Sequence, residues 1–161
     1  MIANRLLLSC IAITLLALPA RAGGLEQRPG WKVFDTKMTF QALSEKLEAA
    51  VKSNKMGIVT TASASDGAKA QGTTIPGNRV VGVYRNDFAR RMLAASLPAG
   101  IEAPIRFYVV ENPANTASLA YKTPSTVFEP YLAGAGEDLK ALASELDIIF
   151  AKIAADTVAT R

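Results

Sequence analysis

The sequence predicts an α+β domain, a mostly antiparallel sheet with helices packed on one face, plus an added C-terminal amphipathic helix. Three observations carry this expectation. Short runs rich in Val, Ile, Tyr and Thr alternate with stretches of helical period. Two strand–helix–strand passages are followed by a hairpin, an order typical of α+β layers. The last apolar stripe, from Leu139 to Ile153, is too long for a strand and has the 3.6-residue repeat of a one-sided helix.

Taken in order, Trp31 to Thr36 has strand composition, and the next segment switches period. Phe40, Leu43, Leu47, Ala50 and Val51 fall on one helical face. Thr39 is placed as its N-cap, with Met38 and Leu43 as a hydrophobic staple. A strand from about Met56 to Ala62 follows, then a polar stretch, Ser63 to Lys69, that reads as loop. Gly72 to Asn78 holds two glycines and a proline, so it is at most a short edge strand. Arg79 to Tyr84 is a strand, and Asn86 is suited to cap a helix from Asp87 to Ala95 that presents Phe88, Met92 and Ala95 together.

After a Pro/Gly loop from Leu97 to Pro104, the strand Ile105 to Glu111 alternates. Ile105, Phe107 and Val109 share one face, and Arg106, Tyr108 and Val110 the other. Asn112 to Thr116 turns the chain, and Ala117 to Lys122 pairs back as a hairpin. Thr123 to Gly136 reads as irregular, and a helix from about Glu137 to Ala155 closes the chain. Glu137 and Asp138 suit the positive end of its dipole.

The first 22 residues read as a cleavable signal peptide. Arg5 precedes an apolar run from Leu6 to Leu18, and Ala20-Arg21-Ala22 supplies the small residues of a cleavage site after Ala22. The run falls short of the roughly 20 residues that cross a bilayer, so no stable membrane anchor is expected after cleavage. Leu7-Leu8-Ser9-Cys10 resembles a lipid-attachment box, but most of the apolar run lies after Cys10. The expected layout is a signal peptide over 1–22, a flexible lead over 23–30, one α+β domain over 31–135 and the helix over 136–161. The expected location is periplasmic or secreted.

Cleavage removes Arg5, Arg21 and no acid, which lowers the formal charge from +4 to +2. Without a concentrated basic stripe, no nucleic-acid partner is expected. Cleavage also removes the only cysteine, and the chain has no histidine. Zinc, blue-copper and His-ligated haem sites of the usual kinds lose their ligands, and nucleophile–histidine schemes lose their base. No cofactor is expected. Carboxylate, Lys, Arg, Tyr and hydroxyl groups remain available for chemistry.

Several signposts in fixed order go further: the first amphipathic helix, Gly57, Gly72 ahead of Arg79-Val80-Val81, and Ala89 and Leu93 in the short helix. They continue in Pro104-Ile105-Arg106, with Glu111 seven residues after the proline, and end with Tyr121 and Pro124. In this order the chain resembles domain-of-unknown-function family 302 over roughly residues 36–124. The resemblance implies a TATA-binding-protein-like α+β fold and a homodimer, and implies nothing about DNA, since fold does not fix function. Ile105 and the stretch Tyr84-Arg85-Asn86-Asp87 stand where the family often carries cysteine, so any thiol role is lost here. The C-terminal helix falls outside the resembling region and reads as an addition.

Candidate sites follow from the sheet. Arg106, Tyr108 and Val110, with Val80, Gly82 and Tyr84 of another strand, leave the face away from the helices only half polar. Such a face is seldom left wholly to water. Arg79 and Arg106 lie in strands expected to be neighbours and offer bidentate geometry for one anion. Arg106 with Glu111 is the leading functional pair. Tyr84, Tyr108 and Tyr121 are candidates to line a cavity. Against these stand plainer readings: arginines paired with Asp87, Glu102 or Glu111 at the surface, and tyrosines packed in core or interface. The stretch from Gly67 to Thr74 has the glycine spacing of a phosphate loop, but Thr73 replaces its lysine and no helix opens there.

The function these readings favour is a small exported binding or interaction domain, a homodimer with a small anionic or apolar ligand. Two alternatives stand beside it. One is an enzyme using carboxylate, Tyr and Arg chemistry, with Glu111 as acid or base. The other is an accessory subunit docking through its C-terminal helix.

Overall fold

The computed structural model describes residues 25–159; the expected signal peptide and its cleavage point at Ala22 lie outside them. Along the chain run β1 (Trp31–Asp35), α1 (Phe40–Ser53), β2 (Gly57–Ala62), α2 (Ala64–Ala70), β3 (Asn78–Tyr84) and α3 (Asn86–Ala95). A 3₁₀ turn (Pro98–Glu102) leads to β4 (Ile105–Glu111), β5 (Ala117–Lys122), α4 (Pro124–Phe128), a second 3₁₀ turn (Glu129–Tyr131) and α5 (Leu132–Val158). The strands form one antiparallel sheet in the order β1-β5-β4-β3-β2. The α+β class and the helix-covered face expected from the sequence are what the chain adopts.

The core lies between the sheet and α1, α3, α4 and α5. Leu43, Leu47 and Val51 of α1 are fully buried, the face its period marks, and Thr39 caps the helix by accepting a hydrogen bond from the Ala42 amide. Across from them, Phe107 and Val109 of β4 and Leu119 of β5 are equally buried. α5 closes the layer with Leu139, Leu142, Phe150 and Ile153. The Phe150 ring stacks on Phe107 at 4.8 Å and meets Tyr121 at 5.8 Å. The apolar stripe of α5 is therefore core, which removes the surface an accessory subunit would dock through on that helix.

Local differences from the expected elements have identifiable causes. Ser63–Lys69, expected as loop, mostly becomes α2: the Ser63 hydroxyl accepts from the Asp66 amide, and Asn78 Oδ1 accepts from the Ala64 amide. No residue of α2 is buried, so the helix leaves no apolar period to read. The stretch before Asn78 forms no strand. α3 starts one residue early, with Arg85 at the cap and no side-chain cap bond, so Asn86 is helical instead of capping.

Thr123–Gly136, expected as irregular, is nearly all helical. Thr123 caps α4, Pro124 occupies a first-turn position where its missing N–H costs nothing, and Pro130 does the same in the following 3₁₀ turn. At Gly136 the backbone turns to φ 64°, ψ −162°, a conformation suited to glycine, and regular α5 resumes at Glu137.

Candidate functional site

In a sheet the side chains alternate between faces, so the strand register decides which residues meet. Val81 pairs with Phe107 and Phe107 with Tyr121, which places all three on the helix-covered face. The neighbouring positions define the open face, where they fall into transverse rows. Val33, Ala120, Tyr108, Val80 and Ala62 pair in sequence across all five strands and make an apolar row with one phenol at its centre.

One step along the strands, Trp31 pairs with Lys122, and Arg106 with Gly82. Extending the β4–β5 register one residue beyond Phe107–Tyr121 sets Arg106 opposite Lys122. This row is therefore cationic at its centre. On the other side, Asp35 pairs with Ser118 and Ser118 with Val110. There the Ser118 hydroxyl donates to Asp35 Oδ1 at 2.6 Å, and Asn112 Nδ2 donates to Ser118 Oγ at 2.9 Å.

A hollow of about 680 Å³ opens over the first two rows, lined by Trp31, Val80, Arg106, Tyr108, Ala120 and Lys122, with Val127 and Glu102 among the residues at its rim. Ala62, Ala64 and Ala120 bring only methyl side chains to its lining. Gly82, paired with Arg106, is closed over instead: a Cβ there would run into Thr60 Oγ1 and lie 2.7 Å from Pro104 Cγ. The charges at its edge are held but not neutralised. Lys122 Nζ and Arg28 Cζ each sit 5.7 Å from the centre of the Trp31 ring. Among the described residues neither Arg106 nor Lys122 forms an ion pair, and the Glu102 carboxylate takes the Tyr131 hydroxyl at 2.8 Å.

Strand parity splits the six residues singled out from the sequence. Arg106 and Tyr108 line the hollow. Tyr84 shares their face but sits two residues further along β3, beside the β2 end at Gly57. Arg79, Glu111 and Tyr121 belong to the other face, because Arg79 pairs with Val109 and Glu111 with Ala117. The expected anion clamp of Arg79 with Arg106 is therefore not formed, although β3 and β4 are neighbours: the sheet stands between the two guanidinium groups. Arg79 instead pairs with Asp66 at 3.3 Å and lies over the Phe40 ring at 5.4 Å.

The pair Arg106 and Glu111 is divided in the same way, with about 17 Å of strand between the two residues. Glu111 Oε2 accepts the Gly77 amide at 2.7 Å, and the Glu111 amide donates to Gly77 O at 2.7 Å. This carboxylate fastens the loop ahead of β3. Tyr121 borders the hollow from β5, but its ring packs among Phe34, Phe107 and Phe150. Burial, and then the Asp147 charge, push its phenol above the ordinary tyrosine range.

At the rim the hydrogen bond to Glu102, and then burial, raise the Tyr131 phenol, while the remaining shifted groups lie away from the hollow. The hydrogen bonds from Arg85 hold Asp87 below the usual carboxylate range, and those from Arg91 do the same for Glu145. Sequence reasoning missed Trp31 and Lys122 as site residues. Their signal was present: Lys122 is two residues from Ala120, and Trp31 two from Val33, so each shares its neighbour's face once the strands are paired.

Fold and hollow together define a small α+β domain whose single sheet is covered by helices on one face and carries a cation-edged hollow on the other. The chain belongs to the family described as Domain of unknown function DUF302, which it matches over residues 32–156. That span includes most of α5, so the C-terminal helix is part of the shared domain and not an addition to it. The chain is similar to the crystal structure of an uncharacterized conserved DUF302 protein from Bacillus stearothermophilus, at TM-score 0.69 and 18% identity, covering 81% of this chain and 98% of that one. At that identity the likeness concerns the fold. No curated protein matches the chain.

Proposed function

We propose that this protein is an exported, noncatalytic binding domain that holds a small ligand in the hollow of its open sheet face. The observation that carries the reading is the hollow itself, an apolar floor of Val80, Ala120 and Tyr108 edged by unpaired cations. Binding pockets typically enclose about 300–1,000 Å³ and combine an apolar lining with few polar groups. Catalysis by the leading acid–base pair loses its support, because Arg106 and Glu111 lie on opposite faces and Glu111 is engaged by Gly77. Export rests on the charged, apolar and small-residue order of residues 1–22. Homodimerisation belongs to the same proposal, supported by β2, an edge strand with most side chains exposed, Val59 among them.

A thermal-shift panel of small anions, cations and neutral amphiphiles on the purified protein tests the binding reading. At least one compound should raise the melting temperature, and Val80→Trp, which fills the hollow, should abolish that rise. A panel in which nothing stabilises, from a protein that light scattering finds strictly monomeric, overturns it. Amino-terminal sequencing of the exported protein should start at Gly23.

A further inference from the structure

Continued one residue beyond Phe107–Tyr121, the β4–β5 register sets Arg106 opposite Lys122 on one side of the sheet, at positions where Cβ atoms ordinarily stand about 4.5–5.5 Å apart. Like charges placed directly opposite are destabilising, whereas opposite charges there attract. Here no acid among the described residues pairs with either one. Asp66, Asp87 and Glu145 are each engaged by another arginine, and Glu102, the acid that lines the hollow, accepts the Tyr131 hydroxyl and bridges to neither cation. Arg28 brings a third cation to the same edge, since it and Lys122 each lie 5.7 Å from the centre of the Trp31 ring.

Directly beside this cationic pair runs the apolar row of Val33, Ala120, Tyr108, Val80 and Ala62, which spans about 19 Å at ordinary strand spacing. Two features thus sit side by side: a pair of cations without an ion-pair partner, and an apolar row alongside it.

We propose that the hollow binds an amphipathic anion, with its carboxylate between Arg106 and Lys122 and its apolar body along the row from Ala120 to Val80. The inference rests on the binding reading above and names the ligand class. Arg106 supplies a planar, two-pronged donor and Lys122 a compact charge, so one carboxylate satisfies both. Trp31 and Tyr108 flank the head and body with aromatic surface whose polar edges tolerate the boundary between charge and hydrocarbon. An uncharged molecule of the same shape leaves the two cations opposed, and a small inorganic anion leaves the apolar row in water.

Trp31 is the only tryptophan and lines the hollow, so its emission reports occupancy. The purified protein is titrated with dodecanoate, below its micelle-forming concentration, and with dodecanol. Dodecanoate should alter the emission saturably and bind at least tenfold tighter than dodecanol. Arg106→Gln and Lys122→Gln should each weaken dodecanoate tenfold or more by calorimetry, while Lys140→Gln on α5 should not. Lys122→Glu gives a second readout free of ligand: it should raise the melting temperature of the unliganded protein by a few degrees and abolish dodecanoate binding. Equal affinity for dodecanoate and dodecanol, affinity unmoved by the two Gln substitutions, or a lowered melting temperature in Lys122→Glu would each overturn the proposal. If dodecanoate fails while Val80→Trp still abolishes stabilisation by another compound, the ligand class is wrong and the binding reading stands.

Discussion

Replacing Phe150 by alanine removes the ring that ties α5 to the sheet. Phe150 is 0% exposed and stacks on Phe107 with centroids 4.8 Å apart and planes 9° apart, while Tyr121 meets it at 5.8 Å. Emptying a site of this kind costs about 3–5 kcal/mol, because close-packed neighbours relax only partly into the space. Loss of the aromatic pairing places the expected value near the upper half of that range, about 4 kcal/mol. Domains of this size are stable by about 5–15 kcal/mol, so the variant should fold but be severely weakened. Urea denaturation reads this directly: with a slope of about 2 kcal/mol per molar, the midpoint should fall by about 2 M and the slope should stay constant. Truncation after Gly136 should go further and unfold the domain, since Leu139, Leu142 and Ile153 leave with Phe150. A Phe150→Ala loss under about 1 kcal/mol, or a truncated protein that still unfolds cooperatively, would refute the placement of α5 in the core.

Three further outcomes follow from single contacts. Gly82→Ala, a change that ordinarily favours a strand, should destabilise by about 1–3 kcal/mol because the new methyl group meets Thr60 and Pro104; a gain in melting temperature would contradict this. Glu111→Gln should cost about 1–2 kcal/mol and speed hydrogen exchange at the Gly77 amide, since a charged acceptor is replaced by a neutral one; unchanged exchange there would count against the contact. Tyr121 has its folded-state pKa raised, so its contribution is fully present below the ordinary tyrosine value of about 10. It should be lost as pH rises through the folded value, and Tyr121→Phe should flatten that alkaline decline in a pH-dependent denaturation series.

The helix periods of α1 and α5 and the alternation of β4 were legible because one-sided burial writes itself into the sequence. α2 was not, because it buries nothing and is held by Ser63, Asn78 and the Arg79–Asp66 pair. The helical turns after Thr123 were hidden by Pro124, Pro130 and Gly134, residues that usually end helices but here open them or pass through unstrained. The site was half legible for a different reason. Alternation alone set Val80, Gly82 and Tyr84 on the face of Arg106 and Tyr108, as their pairing shows, and the same alternation turns Arg79 away, so the Arg79–Arg106 clamp was at odds with the strand pattern itself. What alternation within single strands does not supply is the neighbour of β5, and only the β1–β5 register brings Trp31 and Lys122 to the hollow.

Amide chemical-shift mapping of the isotope-labelled protein during a dodecanoate titration tests the central claim, that the protein works through its open sheet face. The shifts should concentrate at Val80, Tyr108, Ala120 and Lys122 and reach the Trp31 indole. Shifts centred instead on Arg79 and Glu111 of the opposite face, or spread along α5, would contradict it.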